Sequence, residues 1–400
     1  MRITLILVLT LLLLQVCTDA YLFFVALRRS RKLAVAKFQL YESAFFLIYA
    51  VVILCFPART GASEGGLQAL MWLIFVYLLV YASKLTFVLF DLLSQVPVLF
   101  GRRRLKWLGT LGVVASAAVA LTLMWAAFVN RVRLQVNEIP VHIENLPQSF
   151  AGYRIAQISD LHLGTFGSDT AFVARMVDRI NGLHPDLIVF TGDIVNQRAA
   201  EAEPFVRPLS RLQARDGVFS ILGNHDYGDY VKWKSPQEKE ENLERLMDLQ
   251  IEMGWELLTN SSEVIAGDAP ADSLVIVGVE NWGDAPFPRY GDLETAYPAL
   301  ADSATKVLLT HNPRHWTDII APNDTMNIAL TLSGHTHAMQ MEVAGVSPAA
   351  LRYPDCWGGT YVSPDGRKTL YVNIGAGTVG FPMRIGATPE ITIFTLHPKR

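Results

Sequence analysis

Charged residues are scarce in this chain, and cysteines are scarcer still. Asp, Glu, Lys and Arg make up 18% of the 400 residues, hydrophobic residues make up 51%, and the mean hydropathy is +0.28. A composition this apolar excludes a purely water-soluble protein. The three cysteines, Cys17, Cys55 and Cys356, are too few for a disulfide framework, so cysteine usage gives no evidence of an oxidising compartment.

The charges that are present divide the chain into two unlike parts. Residues 1–130 contain 12 basic and 4 acidic residues, whereas residues 131–400 contain 22 basic and 33 acidic residues. The basic, apolar part predicts a membrane region over 1–130, and the acidic part predicts a domain in water over 131–400. Since nucleic acids are bound by clusters of Lys and Arg, no nucleic-acid partner is expected.

Four long apolar stretches in the membrane region predict four transmembrane helices. A helix needs about 20 apolar residues to cross the hydrocarbon core, and only the second stretch is shorter. The first is not expected to be a cleaved signal peptide, because its apolar run is too long and basic residues follow it. Asp19 and Lys84 lie inside spans and are interpreted as a structural ion pair, with a functional pocket as the alternative. The predicted spans are residues 3–27, 41–56, 67–93 and 107–128.

The basic residues of the membrane region predict its orientation. They cluster between the first and second spans and before the fourth, whereas the connection between the second and third contains Arg59 alone. Because basic loops stay in the cytoplasm, both termini are expected outside it. The chain is thus predicted to be a multi-pass protein of the cell (inner) membrane with an extracytoplasmic domain. The basic clusters are Arg28, Arg29, Arg31, Lys32 and Lys37, and Arg102, Arg103, Arg104 and Lys106.

Residues 131–400 alternate between strand-like and helix-like segments, and the later segments are mostly strands. This order predicts a mixed β-sheet with helices outside it. The helical segments are 170–181, 203–212 and 237–253, and residues 260–272 are predicted to form an exposed loop. The strands that precede the motifs below are 153–159, 186–191, 217–222, 306–310 and 328–333.

Five of the nine histidines lie in short blocks that each follow one of these strands. Every block places Asp, Asn or His where a strand ends, and such strand ends can converge on metal ions at one edge of a sheet. Alone, an Asp or Asn there would indicate a turn or helix cap, but together they indicate divalent transition metals. The blocks are Asp160-Leu161-His162, Gly192-Asp193, Gly223-Asn224-His225-Asp226, His311-Asn312-Pro313 and Gly334-His335-Thr336-His337.

The set of blocks resembles the calcineurin-like metallophosphoesterase family, whose pattern is D-x-H, G-D, G-N-H-D/E, H and G-H-x-H. The resemblance covers roughly residues 137–397. Within the family, the stretches 157–162 and 373–377 are similar to the bacterial membrane-associated branch. The resemblance implies an α/β fold, a two-sheet αββα sandwich with the metal site at the sheet edge, preceded here by the four-helix transmembrane region.

The resemblance also implies a role for each motif residue. Two divalent ions (Mn, Fe or Zn) are expected, with Asp193 bridging them and a bridging hydroxide attacking phosphorus in line. His225 is expected beside the phosphate as a catalytic residue, and Asp226 is expected to orient it. One ion is expected on Asp160, His162, Asp193 and His337. The other is expected on Asp193, Asn224, His311 and His335.

The predicted function is a membrane-anchored phosphoesterase acting on a phosphomonoester, phosphodiester or pyrophosphate, with a lipid-linked substrate as one option. One alternative is a lipid-linked nucleotide pyrophosphatase of the UDP-diacylglucosamine type, although that substrate is cytoplasmic and the predicted orientation opposes it. Another is a non-catalytic scaffold or sensor, which the intact motifs disfavour. Substrate-binding residues are not identified, since each candidate could contact a substrate or merely pack: Tyr227, Tyr230, Trp233, Asn281 and Trp282.

Overall fold

The computed structural model describes residues 2–30, 33–56, 64–285 and 287–399. Among them, residues up to 56 together with 69–128 form one compact unit, and residues 64–68 together with 129–399 form a second. Three of the basic residues used to predict orientation, Arg31, Lys32 and Arg59, lie outside the described residues.

The first unit consists of four helices: α1 (Arg2–Ser30), α2 (Leu33–Cys55), α3 (Glu64–Gln95) and α4 (Lys106–Phe128). Among the described residues, three helical segments are long and apolar enough to cross a membrane: Leu33–Cys55, Gly66–Phe100 and Lys106–Val132. The apolar stretch described in α1, Leu9–Val25, is shorter than these. The second span, predicted to be the shortest, begins at Leu33 and is 23 residues long, so Lys37 lies within a helix rather than in a loop.

The two charged residues predicted inside spans do form an ion pair. Lys84 Nζ lies 2.7 Å from Asp19 Oδ1 and 2.6 Å from Glu42 Oε2, and the Tyr81 hydroxyl donates to Asp19 Oδ2 at 2.8 Å. These contacts join α1, α2 and α3. Charges within apolar helices are costly unless they are paired, and the pairing with Glu42 was not anticipated from the sequence.

The second unit contains two six-stranded sheets. The first sheet has the order β1-β12-β2-β3-β4-β5 and the second has the order β10-β11-β9-β8-β7-β6. The first sheet consists of β1 (Gln135–Ile143), β2 (Arg154–Ile158), β3 (Leu187–Phe190), β4 (Val218–Ser220), β5 (Glu256–Leu257) and β12 (Glu390–Pro398). The second consists of β6 (Ser261–Ala266), β7 (Ser273–Gly278), β8 (Thr305–Leu309), β9 (Ile328–Ser333), β10 (Gly359–Val362) and β11 (Thr369–Val372).

The sheets pack face to face, with helices on their outer faces. Ile155 and Val189 of the first sheet share a buried cluster with Ile276 and Leu309 of the second. A separate cluster holds α5 (Ala171–Asn181) and α7 (Pro236–Glu252) against the outside of the first sheet, and α8 (Leu293–Ala296) packs outside the second. The predicted αββα sandwich is therefore confirmed. Its central strands β3, β8 and β9 are buried along their whole length because both faces of each sheet are covered.

Two local predictions were wrong. Residues 203–212 do not form one helix, because Pro204 and Pro208 interrupt it; a 3₁₀ turn over Glu203–Phe205 and the short α6 (Val206–Leu209) replace it. The first half of the predicted loop 260–272 is instead β6, an edge strand that pairs antiparallel with β7. Its polar residues face solvent at the sheet edge, and this polar composition is what led to the prediction of a loop.

Candidate metal centre

The five motif blocks meet at one edge of the sandwich. Parallel β2, β3 and β4 end there in the first sheet, and parallel β8 and β9 end there in the second. Asp160, His162, Asp193, His335 and His337 each have a positive φ, between 44° and 77°. That left-handed backbone is uncommon for residues with side chains, and residues that adopt it cluster at functional sites. Here it turns each block sharply at the end of its strand.

The first donor group consists of Asp160, His162, Asp193 and His337, whose ligand atoms all lie within 4.8 Å of one another. His162 Nε2 is 2.9 Å from His337 Nε2 and 3.6 Å from Asp193 Oδ2, and His337 Nε2 is 3.2 Å from Asp160 Oδ1. All four side chains are buried. Two imidazole nitrogens and two carboxylates thus point at one enclosed space.

The second donor group consists of Asp193, His311 and His335, again within 4.8 Å of one another. His311 Nε2 lies 3.1 Å from Asp193 Oδ2. Asn224 Oδ1 joins this group, at 3.1 Å from His311 Nε2 and 2.7 Å from His335 Nδ1. Asp193 is therefore common to both groups, and its role as a bridging ligand stays a prediction.

The donor set fits two divalent ions. Carboxylate and amide oxygens mixed with imidazole nitrogens suit Mn, Fe or Zn, and partners outside each group orient the imidazoles as metal sites require. The His311 Nδ1–H donates a hydrogen bond to the Thr191 carbonyl oxygen at 2.7 Å. Nε2 is then the ring nitrogen that faces Asp193 and the second donor group. His335 Nε2 meets the Tyr353 hydroxyl at 2.9 Å, which leaves Nδ1 facing Asn224.

The electrostatics of the two groups keep carboxylates charged beside imidazoles. Burial by itself raises the pKa of Asp193, but His311 and then His225 outweigh it and hold the pKa well below its usual range. Burial by itself lowers the pKa of His311, but Asp193 outweighs it and raises the pKa to about 9. For His162, burial and then the facing His337 both lower the pKa, so its imidazole is neutral and able to act as a ligand.

His225 lies beside the first donor group without belonging to it. Its ring is edge-on to the His162 ring at 4.8 Å and stacks on Tyr230 at 4.6 Å. Its backbone N–H donates to Asp193 Oδ1 at 2.8 Å, and its Nδ1–H donates to the Asn196 carbonyl oxygen at 2.7 Å. These contacts fix the ring orientation and leave Nε2 as the remaining ring nitrogen.

Asp226 does not orient the His225 ring, contrary to expectation. Its carboxylate instead accepts backbone N–H groups of Asp193 and Ile194 at 2.9 Å, Val195 at 3.2 Å and Gly223 at 2.8 Å. These four donors converge on it because two sharp turns meet there. Burial, and next the charge of Asp193, raises its pKa to about 7. Asp226 therefore shapes the backbone that carries Asp193.

Two supporting residues were missed from the sequence. Arg384 is fully buried and donates to the carbonyl oxygens of Gly377 at 2.7 Å and Ile374 at 2.9 Å, while its Nη2 lies 3.3 Å from His337 Nδ1. Tyr353 contacts His335 as described above. Neither lies in a motif, and the chain carries no local signal that would have identified them.

A cavity of about 70 Å³ adjoins the second donor group, with Asn224 and His335 in its wall. Of the five candidate substrate contacts, Tyr230 and Asn281 line it. The other three pack elsewhere: Tyr227 donates to Glu280 at 2.9 Å, Trp233 donates to the Gly228 carbonyl oxygen at 2.8 Å, and Trp282 stacks on His315 at 4.1 Å. The remaining lining residues are Gly283, Asp284, Phe287, Asn312, Arg352 and Tyr353.

Comparison with known proteins places these motifs in a family. Residues 153–339 match the calcineurin-like phosphoesterase model. The uncharacterized metallophosphoesterase YkuE of Bacillus subtilis is 30% identical over 293 residues, which cover 70% of this chain and 93% of that protein. The chain belongs to the calcineurin-like phosphoesterases. Membership in this family and the two donor groups together indicate a binuclear divalent-metal site.

Two further relatives have more specific names. A transmembrane protein with metallophosphoesterase domain from Danio rerio is 31% identical over 267 residues, covering 66% of this chain but only 57% of that relative's length. The UDP-2,3-diacylglucosamine pyrophosphatase LpxG of Chlamydia trachomatis is 29% identical over 341 residues, covering 71% of this chain and 97% of that protein. With three helices of span length, this chain is a membrane protein.

Proposed function

We propose that this chain is a membrane-anchored, binuclear-metal-dependent hydrolase of phosphoric esters. The observation that carries the proposal is the pair of donor groups that share Asp193, with His225 fixed beside them. One ion is assigned to Asp160, His162, Asp193 and His337, and the other to Asp193, Asn224, His311 and His335. The ions, when bound, would supply an activated water and neutralise charge on the phosphoryl oxygens.

The chain's own residues divide the remaining work. Asp193 would be a ligand to both ions. Asp226 holds the backbone around Asp193 in place by accepting four backbone N–H groups. His225 is the proposed general acid: its Nδ1 is engaged by Asn196, so Nε2 is the atom that gives a proton to the leaving oxygen. Asp226 acts through Asp193 and is a positioning residue.

The proposed setting is the cell (inner) membrane, crossed several times by residues 1–130, with the catalytic domain 131–400 outside the cytoplasm. The basic residues around the first and fourth spans support this orientation. The 23-residue α2 is long enough to be the second of four spans. Four spans, with the 29-residue α1 counted as the first, would place both termini on the same side.

The proposed substrate is a phosphoester attached to lipid, which a membrane anchor brings within reach. A second candidate is a lipid-linked nucleotide pyrophosphate, favoured by the similarity to LpxG over 97% of that protein. The predicted orientation opposes this candidate if the substrate faces the cytoplasm, so topology and substrate are tested together.

The test is hydrolysis by the full chain, purified without metal and then reloaded separately with Mn, Fe or Zn. Phosphomonoesters, phosphodiesters and a lipid pyrophosphate are offered in turn. We expect release of phosphate or of a phosphomonoester that depends on the added ion and is abolished by a chelator. Full metal loading without hydrolysis of any of the three classes would contradict the proposal and favour a scaffold.

A further inference from the structure

The second unit exposes apolar side chains in one short segment beside the metal centre. Among the described residues from Asn130 onward, ten large apolar side chains are exposed, and five of the ten fall within residues 339–351. Leu351 is 93% exposed and Val346 is 69% exposed. Glu342 is the only charged residue among the thirteen. Apolar side chains grouped in this way mark an interaction surface, and we call residues 339–351 the apolar segment.

The apolar segment has a defined backbone. It starts two residues after His337, within a run of left-handed φ values at Ala338, Met339 and Gln340. Val343 and Val346 then exchange backbone hydrogen bonds at 2.9 and 3.1 Å, closing a tight turn at residues 344–345. The Ser347 hydroxyl donates to the Ala338 carbonyl oxygen at 2.6 Å. The exposed side chains are therefore held in a fixed position next to the site.

Hydrogen bonds also link the apolar segment to the residues that directly follow α4, the last membrane helix. The Glu342 N–H donates to the Ile385 carbonyl oxygen at 2.7 Å, and the Ile385 N–H donates to the Gln340 carbonyl oxygen at 2.8 Å. Next along the chain, the Arg384 carbonyl oxygen accepts from Asn130 Nδ2 at 2.9 Å. Asn130 is the second residue after α4 ends, and two residues of chain span about 7 Å at most.

We propose that the apolar segment inserts into the surface of the lipid bilayer and holds the metal centre at headgroup level. The occupant is lipid because the chain's own membrane helix ends within two residues of the Asn130 contact. Met, Val and Leu side chains on such a segment enter about 5–10 Å into the boundary between headgroups and acyl chains. The substrate would then be a phosphoester borne by a lipid in that leaflet, a step that rests on the proposed function.

Lipid contact is tested on the full chain in nanodiscs of equal parts phosphatidylcholine and phosphatidylglycerol. Cys17, Cys55 and Cys356 are replaced by alanine, and Val346→Cys carries a nitrobenzoxadiazole label. We expect nitroxide lipids to reduce its emission about twofold or more, as for a side chain about 5–10 Å below the surface, while aqueous iodide has little effect. The control is Val264→Cys on β6, where the native side chain is 62% exposed and iodide should quench instead.

Two outcomes overturn the inference. Quenching of the Val346→Cys label by iodide alone would place the segment in water. Protection from both quenchers would assign it to a protein partner or a second copy of the chain. Neither result depends on catalysis, so the inference and the proposed function fail separately.

A second measurement links the contact to substrate. Val343→Ser combined with Val346→Ser should lower kcat/KM about tenfold for a fluorescent lipid phosphoester in the nanodisc and leave hydrolysis of 4-nitrophenyl phosphate unchanged. The matched control combines Val264→Ser with Val362→Ser, because Val362 and Val343 are both 57% exposed. Equal losses on both substrates would overturn the role in lipid access. Lipid quenching without hydrolysis of either substrate would refute the proposed function alone.

Discussion

The substitution Asp193→Asn is expected to release both metal ions while leaving the fold intact. Asp193 is the carboxylate shared by the donor groups, with Oδ2 3.6 Å from His162 Nε2 and 3.1 Å from His311 Nε2. Its Oδ1 accepts the His225 N–H at 2.8 Å, and an asparagine amide oxygen is able to accept the same bond. The change therefore removes a ligand's charge without changing its size or that backbone contact.

The expected effect is large enough to measure in two ways. Losing a shared ligand should weaken each site by at least about 100-fold, because substitutions of outer partners alone cost about 10–100-fold. A metal at 100 times its Kd stabilises the folded state by about 2.7 kcal/mol, whereas a 100-fold weaker site contributes about 0.4 kcal/mol at the same concentration. Bound metal is counted by mass spectrometry after dialysis, and unfolding is followed with and without added Mn.

Two variants serve as controls for this prediction. Asp160→Asn alters the first donor group alone and should retain one ion. Asp169→Asn changes an exposed carboxylate outside both groups and should retain two. If Asp193→Asn retained two equivalents, or if it lost only the ion that Asp160→Asn loses, Asp193 would not be the bridge.

Four further predictions concern other parts of the chain. His225→Ala should keep both ions and lose about 10²–10⁴-fold in turnover, less for nitrophenolate leaving groups; an equal loss for all leaving groups would favour electrostatic stabilisation over proton transfer. Alkaline phosphatase fused after Arg400 should be active, and a fluorescent protein that folds only in the cytoplasm should stay dark when fused there. An inactive phosphatase with a bright fluorescent protein would place the domain in the cytoplasm. Lys84→Met leaves two carboxylates without their cation and should lower the free energy of unfolding of the full chain in detergent by about 3–5 kcal/mol. An unchanged midpoint of the unfolding transition would show that the ion pair is dispensable. Burial raises the pKa of Glu390 from 4.5 to about 7, so its favourable contribution to stability is complete below pH 4.5 and is lost as the pH rises through 7. Glu390→Gln should therefore be more stable than the native chain by about 3 kcal/mol at pH 8 and no more stable at pH 4, and parallel curves of stability against pH would refute this.

The sequence predicted the parts of this structure that follow from local pattern. Each motif block comes directly after a buried apolar strand, and parallel strands bring their carboxyl ends to one edge, so Asp160, Asp193 and His311 were expected to meet. The two-sheet arrangement was predicted from the family resemblance. The sequence of an apolar strand does not show whether the strands form one sheet or two. The prediction of a helix over 203–212 was wrong because Pro204 and Pro208, both visible in the sequence, disrupt a helix more strongly than the apolar spacing favours one.

Long-range contacts account for most of what could not be predicted. Arg384 lies 47 residues from His337 and Tyr353 lies 18 residues from His335 along the chain, and composition does not encode either pairing. The role expected of Asp226 failed for a related reason. Its neighbour in the sequence is His225, but its partners are backbone N–H groups, which are the same for every residue type and leave no trace in a motif.

The Asp226 carboxylate, with its four backbone donors, has a consequence for how the centre is assembled. The turns that carry Asp193 and Asn224 are held together by hydrogen bonds within the polypeptide, so their shape is set when the chain folds. Hydrogen bonds of this kind reduce the loop ordering that metal binding would otherwise require, and with it the affinity that ordering costs. Folding, membrane insertion and metal loading become separable events. A site whose backbone is shaped before the metal arrives would take its ions from the compartment in which the folded chain meets them.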